Sequence, residues 1–271
     1  MGGLFTALVV DADAEAAVPW LATAYVPGPS LAEAVDDHGP LPAGAVATLA
    51  AGLAEGLAAI HAAGVVHRDL KPSNVLLAAD GPRVIDFGIS RAAEASMLTQ
   101  SGTVMGSPGF MSPEQAEGGL VGPASDVFSL GAVLAFAATG QSPFGTGPTP
   151  ALVYRVVHNE PDTAGLPASI RPLVQRCLAK DPAARPATGD VLAELGSPGL
   201  AEGWLPGPLA GRFGRRGRAS HRLDRSRAGP GRQAPGPGPQ AAASGADHRG
   251  RAQRAVHHAF RGRLGAAGAR L

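Results

Sequence analysis

His67-Arg68-Asp69-Leu70-Lys71-Pro72-Ser73-Asn74, followed by Asp86-Phe87-Gly88, is the stretch whose reading decides the fold. Moving a phosphoryl group needs a carboxylate near the attacking hydroxyl, a cation at the migrating group and hard oxygen ligands for Mg²⁺. Asp69, Lys71, Asn74 and Asp86 supply these residue types close together. Val65-Val66 leads into the stretch and Val75-Leu76-Leu77 leaves it. Asp80-Gly81-Pro82 then turns the chain into Arg83-Val84-Ile85. This strand, turn, strand pattern delivers Asn74 and Asp86 to one cleft, as a shared metal site requires.

The octet and the tripeptide together resemble the catalytic loop and the metal-binding loop of protein kinases. Lys71, two residues after Asp69, resembles the serine/threonine branch. The resemblance implies ATP as phosphoryl donor and protein Ser or Thr hydroxyls as acceptors. It implies that Asp69 orients or accepts the hydroxyl proton, that Lys71 neutralises the γ-phosphate, and that Asn74 and Asp86 hold Mg²⁺. Leu76 matches the residue beneath the adenine ring. His67, Phe87 and Gly88 match structural parts of the two motifs, and Arg68 matches the arginine that pairs with a phosphorylated activation segment.

Downstream, residues 91–108 are polar, small and glycine-bearing, which suits a mobile activation segment. Thr99, Ser101 and Thr103 are its candidate phosphorylation sites, since a phosphate there would order the loop against Arg68. Ser107 matches a residue that bonds the catalytic Asp and Lys. Ser112-Pro113-Glu114-Gln115 is a capping box with Pro at the first helical position. It also resembles the kinases' Ala-Pro-Glu, whose Glu pairs with a buried arginine; Arg185 is the match. Asp126 matches the aspartate that opens the central buried helix, read over residues 127–139, and bonds the catalytic-loop backbone.

Upstream, Leu4–Asp11 and Trp20–Val26 read as strands, and Pro27-Gly28-Pro29 ends the second. By resemblance this is the last N-lobe strand and the hinge. Thr23 then falls at the gatekeeper position, with the Ala24 carbonyl and Val26 amide on the adenine edge. Ser30 caps a helix over Leu31–Asp37. Val46, Leu49, Leu53, Leu57 and Ile60 recur every three or four residues and predict a core helix that stops at Gly64. His61 reads as a packed boundary residue of this helix. Further helices are expected at 149–158, 168–179 and 188–195, the last capped by Thr188. No Gly-x-Gly-x-x-Gly or strand lysine precedes the hinge, and the two lysines are Lys71 and Lys180. Only the last two or so N-lobe strands are therefore expected.

Of the 271 residues, 45% are hydrophobic, enough for a core. The single cysteine, Cys177, excludes an internal disulfide, and Met1-Gly2-Gly3 opens no signal-peptide pattern; both fit a cytoplasmic setting. No segment reads as a membrane span, residues 127–139 being the best candidate. Residues 1–206 hold 9 Lys and Arg against 20 Asp and Glu, whereas residues 207–271 hold 14 Arg against 2 Asp, a net −11 followed by a net +12. The expected domains are an N-lobe remnant and hinge at 1–26, a kinase C-lobe at 27–197, and an Arg/Gly/Pro/Ala tail at 198–271 that composition marks as disordered. The fold class is α+β and protein-kinase-like: a mainly α-helical C-lobe, a two-strand remnant and a basic tail. The tail lacks interleaved aromatics, which disfavours nucleic acid as a partner. Beside a third reading in which the basic tail binds nucleic acid or membrane, two function classes stay open, a serine/threonine protein kinase acting on protein substrates and a non-catalytic kinase-like binding module. Either leaves room for a regulatory partner or a dimer.

Overall fold

The computed structural model describes residues 5–13, 20–86, 108–196, 203–207 and 209. They group into two units, a hairpin within residues 7–25 and a helical unit that takes in Phe5, Thr6 and the residues from Val26 onward. The architecture is mixed α and β, mostly helical, with two small two-stranded sheets among the described residues.

In the hairpin unit, β1 (Val9–Asp13) pairs antiparallel with β2 (Trp20–Thr23), with an irregular register between Val9 and Asp11. The first strand thus starts later than the expected Leu4–Asp11. Phe5 and Thr6 leave the apolar run for the other unit, where Val84 N–H donates to the Phe5 carbonyl (2.9 Å) and Thr6 bridges Val84. The second strand stops short of Val26. Ala24 N–H still donates to Leu8 O (2.8 Å), and the approach to Pro27 ends the pairing.

The helical unit opens with α1 (Leu31–His38). Its N-cap is Ser30, whose hydroxyl accepts from Glu33 N–H while the Glu33 carboxylate accepts from Ser30 N–H. Next comes α2 (Ala43–Ala62), whose predicted stripe Val46, Leu49, Leu53, Leu57 and Ile60 is buried. Gly52 and Gly56 bring its backbone close to Phe5 and to β4; a Cβ on Gly52 would stand 2.5 Å from Pro82 Cγ. By length and apolarity α2 would suffice to cross a bilayer, which corrects the expectation that no segment comes near that length. It instead forms the core of this unit.

Antiparallel strands β3 (Val75–Ala78) and β4 (Gly81–Val84) follow, with β4 packed on α2 and β3 against α1. Then follow α3 (Pro113–Ala116), α4 (Pro123–Thr139), α5 (Thr149–His158), α6 (Arg171–Cys177) and α7 (Thr188–Leu195). The buried α4 packs against α2 and α6, and Phe128 stacks on Phe144 at 5.8 Å. The α6 helix is shorter than the expected 168–179, because Pro172 fits only its first turn. Thr188 is not a cap: Ala187 holds that position, and its N–H donates to the Asp190 carboxylate (3.0 Å).

One boundary moves. The sequence places the end of the lobe at residue 197, yet Trp204, Leu205 and Leu209 are buried in the same core as α2 and β3. A large indole and two leucines gain more from leaving water than a glycine- and proline-rich context reveals. Residues 210–271, and with them the expectation about the arginine tail, lie outside the described residues.

Candidate active site

Three side chains of the predicted set converge just ahead of β3. Lys71 Nζ lies 2.8 Å from Asp69 Oδ2, and Asn74 Nδ2 donates to the Asp69 carbonyl (2.8 Å) and to Asp69 Oδ2 (3.3 Å). Pro72 starts a single 3₁₀ turn through Asn74, with Asn74 N–H bonded to Lys71 O, and this brings residues 69, 71 and 74 to one point. Because its amide nitrogen is committed to Asp69, the Asn74 carbonyl oxygen is turned elsewhere as a hard acceptor. Asp86 arrives by the other strand. Ile85 N–H donates to Asn74 O (3.0 Å), setting Asp86 next to the turn with a left-handed backbone, φ 56°. A carboxylate and a carboxamide oxygen suit Mg²⁺, which keeps much of its water and takes its remaining ligands from phosphates.

The loop beneath is held by Asp126, in the first turn of α4 and 1% exposed. Its carboxylate accepts the N–H of His67 (2.9 Å) and of Arg68 (2.8 Å), and His61 Nε2 lies 2.7 Å from Oδ2. These bonds hold Arg68 at φ 67°, a conformation that disfavours a side chain and persists only when its surroundings impose it. Gln115 adds a fourth tie by donating to Arg68 O (2.8 Å). His67 is fully buried, and burial lowers its pKa. The neutral ring faces the Ile85 carbonyl with Nε2 (3.0 Å) and accepts Asp69 N–H at Nδ1 (3.3 Å). One imidazole therefore connects the loop carrying Asp69 to the strand end carrying Asp86.

Below the loop, Arg185 grips Glu114 with both ends of its guanidinium, Nη1 to Oε1 at 2.7 Å and Nη2 to Oε2 at 2.8 Å. It also donates to the carbonyls of Ala124, Ala179 and Lys180, and lies 5.0 Å from the Phe128 ring centre. Burial raises the Glu114 pKa, but the bonds from Arg185 and from Ser125 Oγ (2.6 Å) outweigh it and bring it down to about 2. Capping Ser112 sits at the start of the same α3.

The remaining predicted residues divide between the units. Thr23 and Ala24 belong to the hairpin unit; Val26 and Leu76 belong to the helical one, where Leu76 bridges Ser30. Phe87, Gly88, Thr99, Ser101, Thr103 and Ser107 lie outside the described residues. Sequence reasoning missed the link from His61 to Asp126. Only its place on the last turn of α2, six residues before His67, hinted at it. It also missed Ser129 Oγ, which donates to Phe110 O (2.7 Å) and fastens α4 to the turn at Pro108–Phe110.

Comparison with known proteins identifies the family. Residues 9–195 match the protein kinase domain family. The chain is 54% identical over 214 residues to the probable serine/threonine-protein kinase PkwA of Thermomonospora curvata, covering 79% of this chain and 29% of that protein. It is 51% identical over 216 residues to the serine/threonine-protein kinase AfsK of Streptomyces coelicolor, covering 76% of this chain and 27% of that one. PknL of Mycobacterium tuberculosis, also a serine/threonine-protein kinase, is 34% identical over 183 residues. The chain thus spans under a third of the length of PkwA and AfsK. With its family domain on residues 9–195 and bacterial kinases as relatives, this chain belongs to the protein kinase family, in its bacterial serine/threonine branch.

Proposed function

We propose that this chain carries the catalytic lobe of a protein kinase that transfers the γ-phosphoryl group of ATP to Ser or Thr hydroxyls of protein substrates. The convergence of Lys71 and Asn74 on Asp69 carries this reading. Asp69 offers its carboxylate to the incoming hydroxyl, orienting the oxygen and accepting its proton. Lys71, held 2.8 Å from that carboxylate, sets an ammonium where negative charge builds on the migrating group. Asn74 and Asp86 would hold Mg²⁺, which when bound offsets the charge of the phosphates. Asp126 keeps the loop in the one backbone conformation that lines these groups up, a matter of positioning rather than of new chemistry.

The proposal includes the finer assignments as well. The hairpin β1–β2 corresponds to the end of an N-lobe, Thr23, Ala24, Val26 and Leu76 serve the adenine, and Arg68 pairs with a phosphate carried by Thr99, Ser101 or Thr103. The setting is cytoplasmic, and control comes through a regulatory partner or a dimer. Single, buried Cys177, its thiol pushed up to about 12 by burial, is compatible with that setting.

The deciding experiment is transfer of labelled γ-phosphate from ATP to a Ser/Thr peptide library. Asp69→Asn should abolish incorporation while leaving the circular-dichroism spectrum unchanged. Incorporation that survives Asp69→Asn would overturn the assignment. Mg²⁺-dependent nucleotide binding by calorimetry without any transfer would favour the binding-module reading instead.

A further inference from the structure

Trp204 lies beyond the last residue matched by the kinase domain family, in a stretch that composition assigns to the tail. Even so it is 8% exposed, with Leu205 at 5% and Leu209 at 1%, all within the lobe's core. Its indole Nε1–H donates to the carbonyl of Ala78 at 3.0 Å, a buried bond between residues 126 positions apart. Ala78 closes β3 at the turn end, opposite Gly81, and is itself 5% exposed. A carbonyl oxygen carries two lone pairs, so beside its ladder pairing with Gly81 the Ala78 oxygen can take a second donor, and Trp204 supplies it from outside the ribbon.

The hairpin it grips is short, four residues a side. A two-stranded ribbon of that size has little stability of its own and depends on what packs around it. Asn74 immediately precedes β3, and Asp86 lies two residues past the end of β4. Any tilt of the ribbon about its turn would therefore move both together. The near end is fastened by Ile85 N–H to Asn74 O and by His67 Nε2 to Ile85 O, while Leu77 N–H, one residue short of the turn end, donates to Pro29 O. At the far end, Trp204 supplies a bond from beyond the kinase domain.

We propose that residues 203–207 and 209 form a latch on the β3–β4 ribbon, and that Trp204 is a positioning residue for Asn74 and Asp86. The latch makes the residues just past the kinase domain an integral part of the site's support. Its link to catalysis rests on the kinase reading above; its mechanical part does not.

Hydrogen exchange on the full chain, read by mass spectrometry, tests the mechanical part. Trp204→Phe keeps most of the packing and removes the N–H donor; exchange in residues 72–86 should quicken about five- to tenfold, the loss of one buried hydrogen bond. Trp204→Ala should quicken it about a hundredfold or more. In both variants α4 should exchange as in the wild type. Unchanged exchange in 72–86, or equal acceleration throughout the lobe, would overturn the latch, and the Phe variant decides if the Ala variant does not fold. Tryptophan emission supplies a second check, because Trp20 and Trp204 are the only two indoles and Trp20 is 47% exposed. A Trp20→Phe variant should emit at the blue edge and resist acrylamide; solvent-like emission would refute burial. For the link to catalysis, Trp204→Phe should raise the KM for Mg²⁺-ATP about three- to tenfold with kcat within about twofold. A fall in kcat alone would reject the positioning role. If the wild-type chain transfers no phosphate, the exchange and emission results still decide the latch while the kinase reading fails separately.

Discussion

Asp126→Asn is the sharpest probe of how this lobe holds its active loop, because it replaces one oxygen by nitrogen at almost constant volume. In the native site the carboxylate accepts two backbone amides, at 2.9 and 2.8 Å, and faces His61 Nε2 at 2.7 Å. Asparagine offers one acceptor. If its oxygen stays on Arg68 N–H, its NH₂ group points at His67 N–H, and His61 can adapt by accepting instead of donating. One charge-assisted bond is thus weakened to a neutral one, and one buried amide loses its acceptor. The first change costs about 1 kcal/mol and the second about 2–3 kcal/mol, so about 3–4 kcal/mol in all. Total stabilities are about 5–15 kcal/mol, so a weakened folded state should persist. Urea unfolding should show a midpoint lowered by about 1–2 M at unchanged slope. With its amide ties altered, Arg68 would relax from φ 67° and carry Asp69 with it, lowering phosphoryl transfer about a hundredfold. A midpoint within about 0.3 M of wild type, with unchanged exchange at the His67 and Arg68 amides, would refute the reasoning.

Glu114 links stability to pH. Its folded pKa of about 2 lies below the ordinary 4.5, so its contribution is complete above about pH 4.5 and fades as pH falls toward 2. Partial solvent access reduces the gain to about 2 kcal/mol. Urea midpoints of wild type and Glu114→Gln should therefore differ at pH 6 and converge near pH 2–3; a constant gap would contradict the pairing with Arg185. His67, its pKa lowered by burial, makes both proteins lose stability as pH drops below 6.5, and cancels in the comparison. Gly52→Ala should destabilise by about 1–3 kcal/mol despite alanine's better helix propensity, since the new Cβ would meet Pro82 at 2.5 Å. Gly44→Ala, with nothing within 4 Å, should stabilise slightly; thermal unfolding that ranks the two the other way would contradict the packing of β4 on α2.

What could be read in the sequence was local. Periodic leucines along 46–60 announce a core helix because one face repeats every 3.6 residues, and Ser30-x-x-Glu33 and Ser112-x-x-Gln115 announce their caps because the bonds span a single turn. The octet at 67–74 was equally legible, since its parts act on one another over a few residues. Pairs such as Glu114 with Arg185 came from resemblance, which carries long-range geometry that spacing cannot. Tertiary structure alone decided the rest. Phe5 was lost to the predicted strand because α2 presents glycines at 52 and 56 against which its ring and backbone fit. His61 found Asp126 because α2 and α4 pack together, and Trp204 found Ala78 because an indole buried in the core needs an acceptor and the strand-end carbonyl offers one. A contact across dozens of residues leaves no period and no motif in the chain; it exists only once burial has brought the two groups within reach.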